Sequence, residues 1–181
     1  MLSSGWARAG VAITAMAALP CAEAVAQDKA AALSDANIAA IVVGANTIDA
    51  EYGRIAKEKS TNAEVRTFAE TMIATHEAVN RQAGELAAKL GLRPVDNETS
   101  KALAEEARQM RERLRGLSGR AFDRAYIDNE VAFHQKVLDA IDGVLIPGAR
   151  NAELKALLES VRPAIVGHLE HAKRLQATLG S

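Results

Sequence analysis

Between Val65 and Leu90 the chain repeats with one period. Val65, Ala69, Met72, His76, Val79, Ala83, Leu86 and Leu90 follow one another in alternating steps of four and three. A strand would alternate every second residue. Steps of four and three draw a single stripe down a helix, of the kind that packs in a bundle seam. His76 is the one polar member of that stripe.

The rest of the chain is organised in the same way. A first helix is predicted from about Asp35 to Lys59, with Ser34 as N-cap. Its apolar stripe holds Ile38, Ile41, Val42, Ala45, Ile48, Tyr52 and Ile55. Ser60-Thr61-Asn62 is a short polar turn, so the second helix, capped by Asn62 and ending before Gly91, should return antiparallel. A charged helix is expected from about Thr99 to Arg115. Another follows from near Arg120 to about Leu145, where Pro147-Gly148 stops it. Its seam holds Ile127, Glu130, His134, Val137, Ile141 and Val144. The last helix is expected from about Asn151 to Leu179, with a seam of Leu154, Leu158, Val161, Ile165, His168, Ala172, Leu175 and Leu179. Pro163 falls inside it, where a proline frees the carbonyl four residues back and kinks the axis.

The connection from Leu92 to Gly119 is far longer than an up-and-down bundle needs, and it carries its own helix. It fits an overhand crossover that sets the second and fourth predicted helices parallel. The expected fold is therefore all-α: a ferritin-like four-helix bundle whose long crossover carries an extra helix. Composition agrees. Hydrophobic residues make up 49% of the chain and aromatics 3%, so alanine, the best helix former, supplies much of the apolar content.

The N-terminus reads as a secretory leader. Arg8 is a short basic region, Ala9 to Leu19 is uncharged and mostly apolar, and Ala24-Val25-Ala26 is a small-x-small cleavage site. Residues 1–26 are expected to be removed, leaving a single bundle domain over 27–181 in the periplasm or otherwise exported. Cys21, the only cysteine, and Trp6 would go with the leader. The net charge of −1 gives no pull toward nucleic acid. No uncharged run in the mature part reaches a spanning length. The longest, Ala36 to Ile48, is bounded by Asp35 and Asp49 and contains Asn46.

Three of the four histidines, His76, His134 and His168, occupy seams on three different helices. Glu130 lies one turn before His134 on the same face. Glu51 stands in the row Ile41, Gly44, Ile48, Glu51, Ile55. Depth along the bundle can be counted at ~1.5 Å per residue from the first turn, near residue 60. With a crossover, Glu51, Glu130, His134, His76 and His168 fall within about 11 Å of one another along the axis, against about 16 Å without one. Imidazole and carboxylate donors suit Zn, Fe, Mn or Cu. Glu51, His76, Glu130, His134 and His168 are therefore candidate ligands for a transition metal. The competing reading is a set of hydrogen-bonded Glu–His pairs tying the core together. His171 is one position off the seam and reads as partly exposed. Phe122 and Tyr126 read as packing residues. The arginines from Arg108 to Arg120 read as a solvated crossover face.

Several stretches resemble a known family. They are Phe68-Ala69 followed by Met72 and His76; Phe122-Asp123-Arg124-Ala125-Tyr126 followed by His134-Gln135; His168-Leu169-Glu170 followed by Ala172; and Glu51 with Gly53 and Ala56. They are similar to the bacterial exported proteins of "domain of unknown function 4142", from about Asp35 to Leu175. The resemblance implies a ferritin-like fold and export, and no reaction. It also marks a departure: the family's acidic residue before the histidine of the second helix is Thr75 here. The usual di-iron pattern needs a Glu three residues before a histidine on each of two helices. Ile73, Val131 and Ile165 hold those places, which argues against a standard di-iron oxidase or iron store. Two functions remain open: a non-enzymatic exported module in envelope maintenance or stress tolerance, self-associating or bound to an envelope component, and a transition-metal-binding or redox protein.

Overall fold

The computed structural model describes residues 33–180. The expected leader, its cleavage site after Ala26, and Trp6 and Cys21 lie outside the described residues. Six helical segments follow in order: α1 (Asp35–Lys59), α2 (Ala63–Lys89), α3 (Glu98–Gly116), α4 (Gly119–Ala140), α5 (Ile146–Gly148) and α6 (Ala152–Gly180), with a π turn (Ile141–Leu145) joining α4 to α5. Among the described residues there is no strand, and no helix is long and apolar enough to cross a membrane.

Polar side chains start each long helix except α4. Ser34 accepts from the Asn37 N–H while the Asn37 side chain accepts from Ser34 N–H, a reciprocal cap. Asn62 accepts from the N–H groups of Glu64 and Val65, Asn97 from those of Thr99 and Ser100, and Asn151 from those of Glu153 and Leu154. Gly91, at φ 63°, turns the chain out of α2 in the left-handed region open to glycine.

Cross-helix contacts fix the topology. Lys57 meets Glu70 and Asn80 meets Thr47, so α1 and α2 are antiparallel. Phe68 lies beside Tyr126 and His76 beside His134, so α2 and α4 are parallel. Asp128 meets Gln176 and Asp142 meets Arg162, so α6 returns antiparallel to α4. This is the crossover bundle. The crossing helix α3 lies along α1 and is tied to it throughout. Val95 N–H donates to the Ala36 carbonyl, the Asn97 amide donates to the Asn37 carbonyl, Arg111 pairs with Glu51, and Lys59 donates to the Arg115 carbonyl.

The core consists of two apolar clusters. One gathers Tyr52, Phe68, Met72, Leu114, Phe122, Tyr126 and Ala172; the other gathers Ile38, Ile41, Leu138, Leu145, Leu158 and Ile165. Close to where the two clusters meet on each helix lie Asn46 and Asp49, His76, Glu130 and His134, and His168. The bundle is thus two hydrophobic halves with a polar layer at their junction.

Two seam expectations need correction. Val144, expected inside, is 50% exposed, and Leu145 is buried in its place. The shift begins before the π turn: Leu138 is buried and Val137 only half-buried, and Leu138, Ile141 and Leu145 follow one another in steps of three and four. On α6 the seam takes in Leu169, which is buried, while Val161 and Leu179 are only half-buried. Pro163 lies within α6, and the helix runs through it.

Gly53 sets the closest approach of α1 to α2. A Cβ there would sit 2.9 Å from the Ala69 carbonyl oxygen and 2.9 Å from Ile73 Cγ1. Overpacking costs about 1–3 kcal/mol, against a gain of at most about 1 kcal/mol in helix propensity. Gly53→Ala should therefore lower the melting temperature by several degrees in a thermal scan. A rise would mean that α1 can slide away from α2 without loss.

Candidate metal centre

The polar layer is assembled from four helices. Asp49 comes from α1, His76 from α2, Glu130 and His134 from α4, and His168 from α6. Asp49 and Glu130 are completely buried, and His134 and His76 are 1% and 3% exposed. His168 is half-buried. The three imidazole centroids form a nearly equilateral triangle, with sides of 5.7, 5.3 and 5.4 Å.

Two of the rings are held in a defined tautomer. The Asn46 amide N–H donates to the Val42 carbonyl at 2.8 Å, which turns the Asn46 carbonyl oxygen toward His76. His76 Nδ1 lies 2.8 Å from that oxygen and must donate to it. His134 Nδ1 lies 2.9 Å from the Glu130 backbone carbonyl, which can only accept. Each ring therefore spends its proton at Nδ1 and presents a bare lone pair at Nε2.

Both lone pairs converge on one carboxylate oxygen. Asp49 Oδ2 lies 3.5 Å from His76 Nε2 and 3.6 Å from His134 Nε2. These separations exceed hydrogen-bond length. Neither Nε2, neither oxygen of Asp49, neither oxygen of Glu130, nor His168 Nδ1 has a hydrogen-bond partner. Such a set of unsatisfied acceptors is costly in a packed interior.

Burial governs the ionisation. It pushes Asp49 up to about 8. Burial, then the neighbouring Asp49, holds Glu130 well above the carboxylate range. Burial, then the His134 and His168 rings, pushes His76 down to about 3, and His134 falls to about 4 for like reasons. The Asp49–histidine contacts have the spacing of ion pairs, but neutral groups make them. The tautomers fixed by Asn46 and the Glu130 carbonyl agree with neutral rings, so we describe these contacts as uncharged.

Of the five residues expected here, His76, Glu130, His134 and His168 come together and Glu51 does not. Glu51 is two residues from Asp49, which turns it to the far side of α1, and its half-exposed carboxylate pairs with Arg111 of α3 at 2.7 Å. The α1 position in the cluster belongs to Asp49. A signal for it exists in the sequence: Val42, Asn46, Asp49, Gly53 and Ala56 repeat the steps of four and three, and all five are buried. A search for an apolar stripe passes over it. Thr75 is half-buried and outside the cluster, which draws its two carboxylates from α1 and α4.

The donor atoms of His76, His134 and His168 lie within 4.8 Å of one another, as do those of Asp49, Glu130 and His134. Residues 20–175 match the family described as "Domain of unknown function (DUF4142)". The chain belongs to the DUF4142 family. Two solved structures are similar in fold to this DUF4142 chain. A DUF305 protein from Streptomyces coelicolor, described as secreted, superposes with a TM-score of 0.69 at 15% identity, covering 81% of this chain and 94% of its own. CopM in its Cu(II)-bound form superposes with a TM-score of 0.64 at 14% identity, covering 81% and 98%. Among curated proteins, none matches.

The ionisation has a measurable consequence in metal-free protein. Unfolded, Asp49 has an ordinary pKa near 3.8; folded, it holds its proton to about 8. Between those values the folded state binds a proton that the unfolded state has released, so Asp49 lowers stability as pH rises. Asparagine does not titrate. In chelator, Asp49→Asn should melt higher than wild type at pH 8, by on the order of a few kcal/mol, with the gap closing toward pH 4. The two depressed histidines act in both proteins and cancel from the difference. A gap that is flat with pH would mean that Asp49 is ionised in the fold.

Proposed function

We propose that this protein is an exported module that binds one divalent transition-metal ion inside its bundle, through His76 Nε2, His134 Nε2, Asp49 and His168, with Glu130 alongside. One observation carries this reading. Two pinned imidazole lone pairs and a carboxyl oxygen face a common point, and none of these atoms has a hydrogen-bond partner. A core held together by Glu–His hydrogen bonds would have paired these atoms.

Size and charge support the same reading. Ligands at about 2.0–2.2 Å in a tetrahedral arrangement stand roughly 3.3–3.6 Å apart. The Asp49–His76 and Asp49–His134 separations are 3.5 and 3.6 Å. Two carboxylates and three neutral imidazoles balance one divalent ion, so the buried site would be neutral overall. Imidazole and carboxylate without thiolate suit Cu(II) and Zn(II). Asn46 and the Glu130 carbonyl would orient the ligating rings from behind. CopM, a neighbour in fold, holds Cu(II). Export is supported by the leader pattern before Gln27 and by the DUF305 neighbour described as secreted. Sequestration or delivery of the ion fits better than catalysis, since Asp49, His76, Glu130 and His134 are almost wholly buried.

The test uses the mature protein without a histidine tag, stripped with chelator and titrated with Cu(II) and Zn(II). One ion should bind per chain. At a hundredfold excess over Kd it should add about 2.7 kcal/mol of stability, several degrees in the melting temperature. His76→Ala and His134→Ala should each abolish the shift, and Glu51→Gln should leave it intact. A folded wild-type protein that takes up neither ion would overturn the proposal.

A further inference from the structure

The five residues of the centre differ in how firmly they are held. His76 is fixed by Asn46 and His134 by the Glu130 carbonyl, and both are almost wholly buried. His168 differs on both counts. It is half-buried, and its inward nitrogen, Nδ1, makes no hydrogen bond. Of the three histidines it is the one that reaches the surface, and the one whose ring no hydrogen bond fixes. Beside it on α6, Gly167 is exposed, and a Cβ built there would meet nothing within 4 Å.

One turn further along α6 stands His171. It is half-buried, with its ring edge-on to Phe68 at 5.1 Å between centroids. Residues three apart on a helix are neighbours on one face. Burial, and after it the neighbouring His171 ring, pushes His168 down to about 4. His171 lines a surface cleft of about 400 Å³ between the start of α2 and the end of α6, together with Glu64, Thr67 and Arg174. The cleft thus has an imidazole at its wall, one helical turn from the unpinned ligand of the buried centre. The opposite flank of the bundle is closed, because α3 is tied along α1 there.

Resting on the reading of the polar layer as a metal site, we propose that the ion reaches it through the seam between α2 and α6. His171 captures the ion at the cleft. His168 swings to accept it and carries it to the fixed pair His76 and His134. His171 is not a ligand of the final centre. It acts on the rate of exchange, and an element on the path speeds arrival and departure alike.

The experiment is stopped-flow uptake of Cu(II) by the metal-free mature protein, followed by tyrosine fluorescence, because Tyr52 and Tyr126 flank the centre. Release to a chelator is measured in the same way. Two variants are compared with wild type: His171→Phe, which keeps an aromatic edge on Phe68, and His171→Gln, which keeps polarity. Both should slow uptake and release at least fivefold, while Kd stays within twofold and the stoichiometry stays at one. Unchanged rates in both variants, with wild-type binding intact, would overturn the route and leave the metal site standing. Loss of stoichiometry would make His171 a ligand and would also overturn the route. If the wild-type protein binds no Cu(II) at equilibrium, the centre itself fails, and the route with it.

Discussion

A carboxylate that meets no hydrogen-bond donor cannot remain charged inside an apolar bundle unless a cation stands beside it. Asp49 and Glu130 are in that position, and much of the interior is arranged around them. The residues that might have donated to them are turned away. Asn46 gives its N–H to Val42, His76 gives its proton to Asn46, and His134 gives its proton to the backbone of its own helix. Each of these bonds is satisfied locally, and their joint effect is to leave two imidazole lone pairs and two carboxyl groups without partners. In the metal-free protein the two acids hold their protons; with a divalent ion they can release them.

The two apolar clusters give that pocket its rigidity. Each packs the four long helices on one side of the polar layer, so the helices are fixed above and below the ligands. Gly53 allows α1 to lie close against α2, which brings the Asn46 and Asp49 face of α1 up to His76. The tall aromatic packing of Phe68, Phe122 and Tyr126 then closes one end of the layer. Positioning by packed helices, and not by loops, is what can hold donor atoms to a few tenths of an ångström.

Much of this was legible from the residues. Periodicity and capping residues gave α1 and α2 almost to their ends, and the length of the 92–119 segment gave the crossover, because a connection of that size has few other uses. The three seam histidines could be found because a polar residue in an apolar stripe stands out. Asp49 could not be found that way, since its own stripe is built of small and polar residues and the neighbouring Ile48 row looks more like a core. Glu51 shares that row and so looks like the better candidate, and the salt bridge that draws it outward comes from Arg111, sixty residues away in sequence. The π turn is invisible for a related reason, because it has no composition of its own.

The crossing helix has one more consequence. Because α3 runs back along α1 before α4 begins, the two helices that complete the polar layer follow the strap in the chain. The hydrogen bonds from the Arg150 and Asn151 N–H groups to Asp35 tie the start of α1 to the turn before α6. Asp49, His134 and His168 are spread over most of the described chain, and a half-folded chain would offer only scattered donors. The pocket is therefore a property of the assembled bundle, and its occupancy would report on whether the whole molecule has folded.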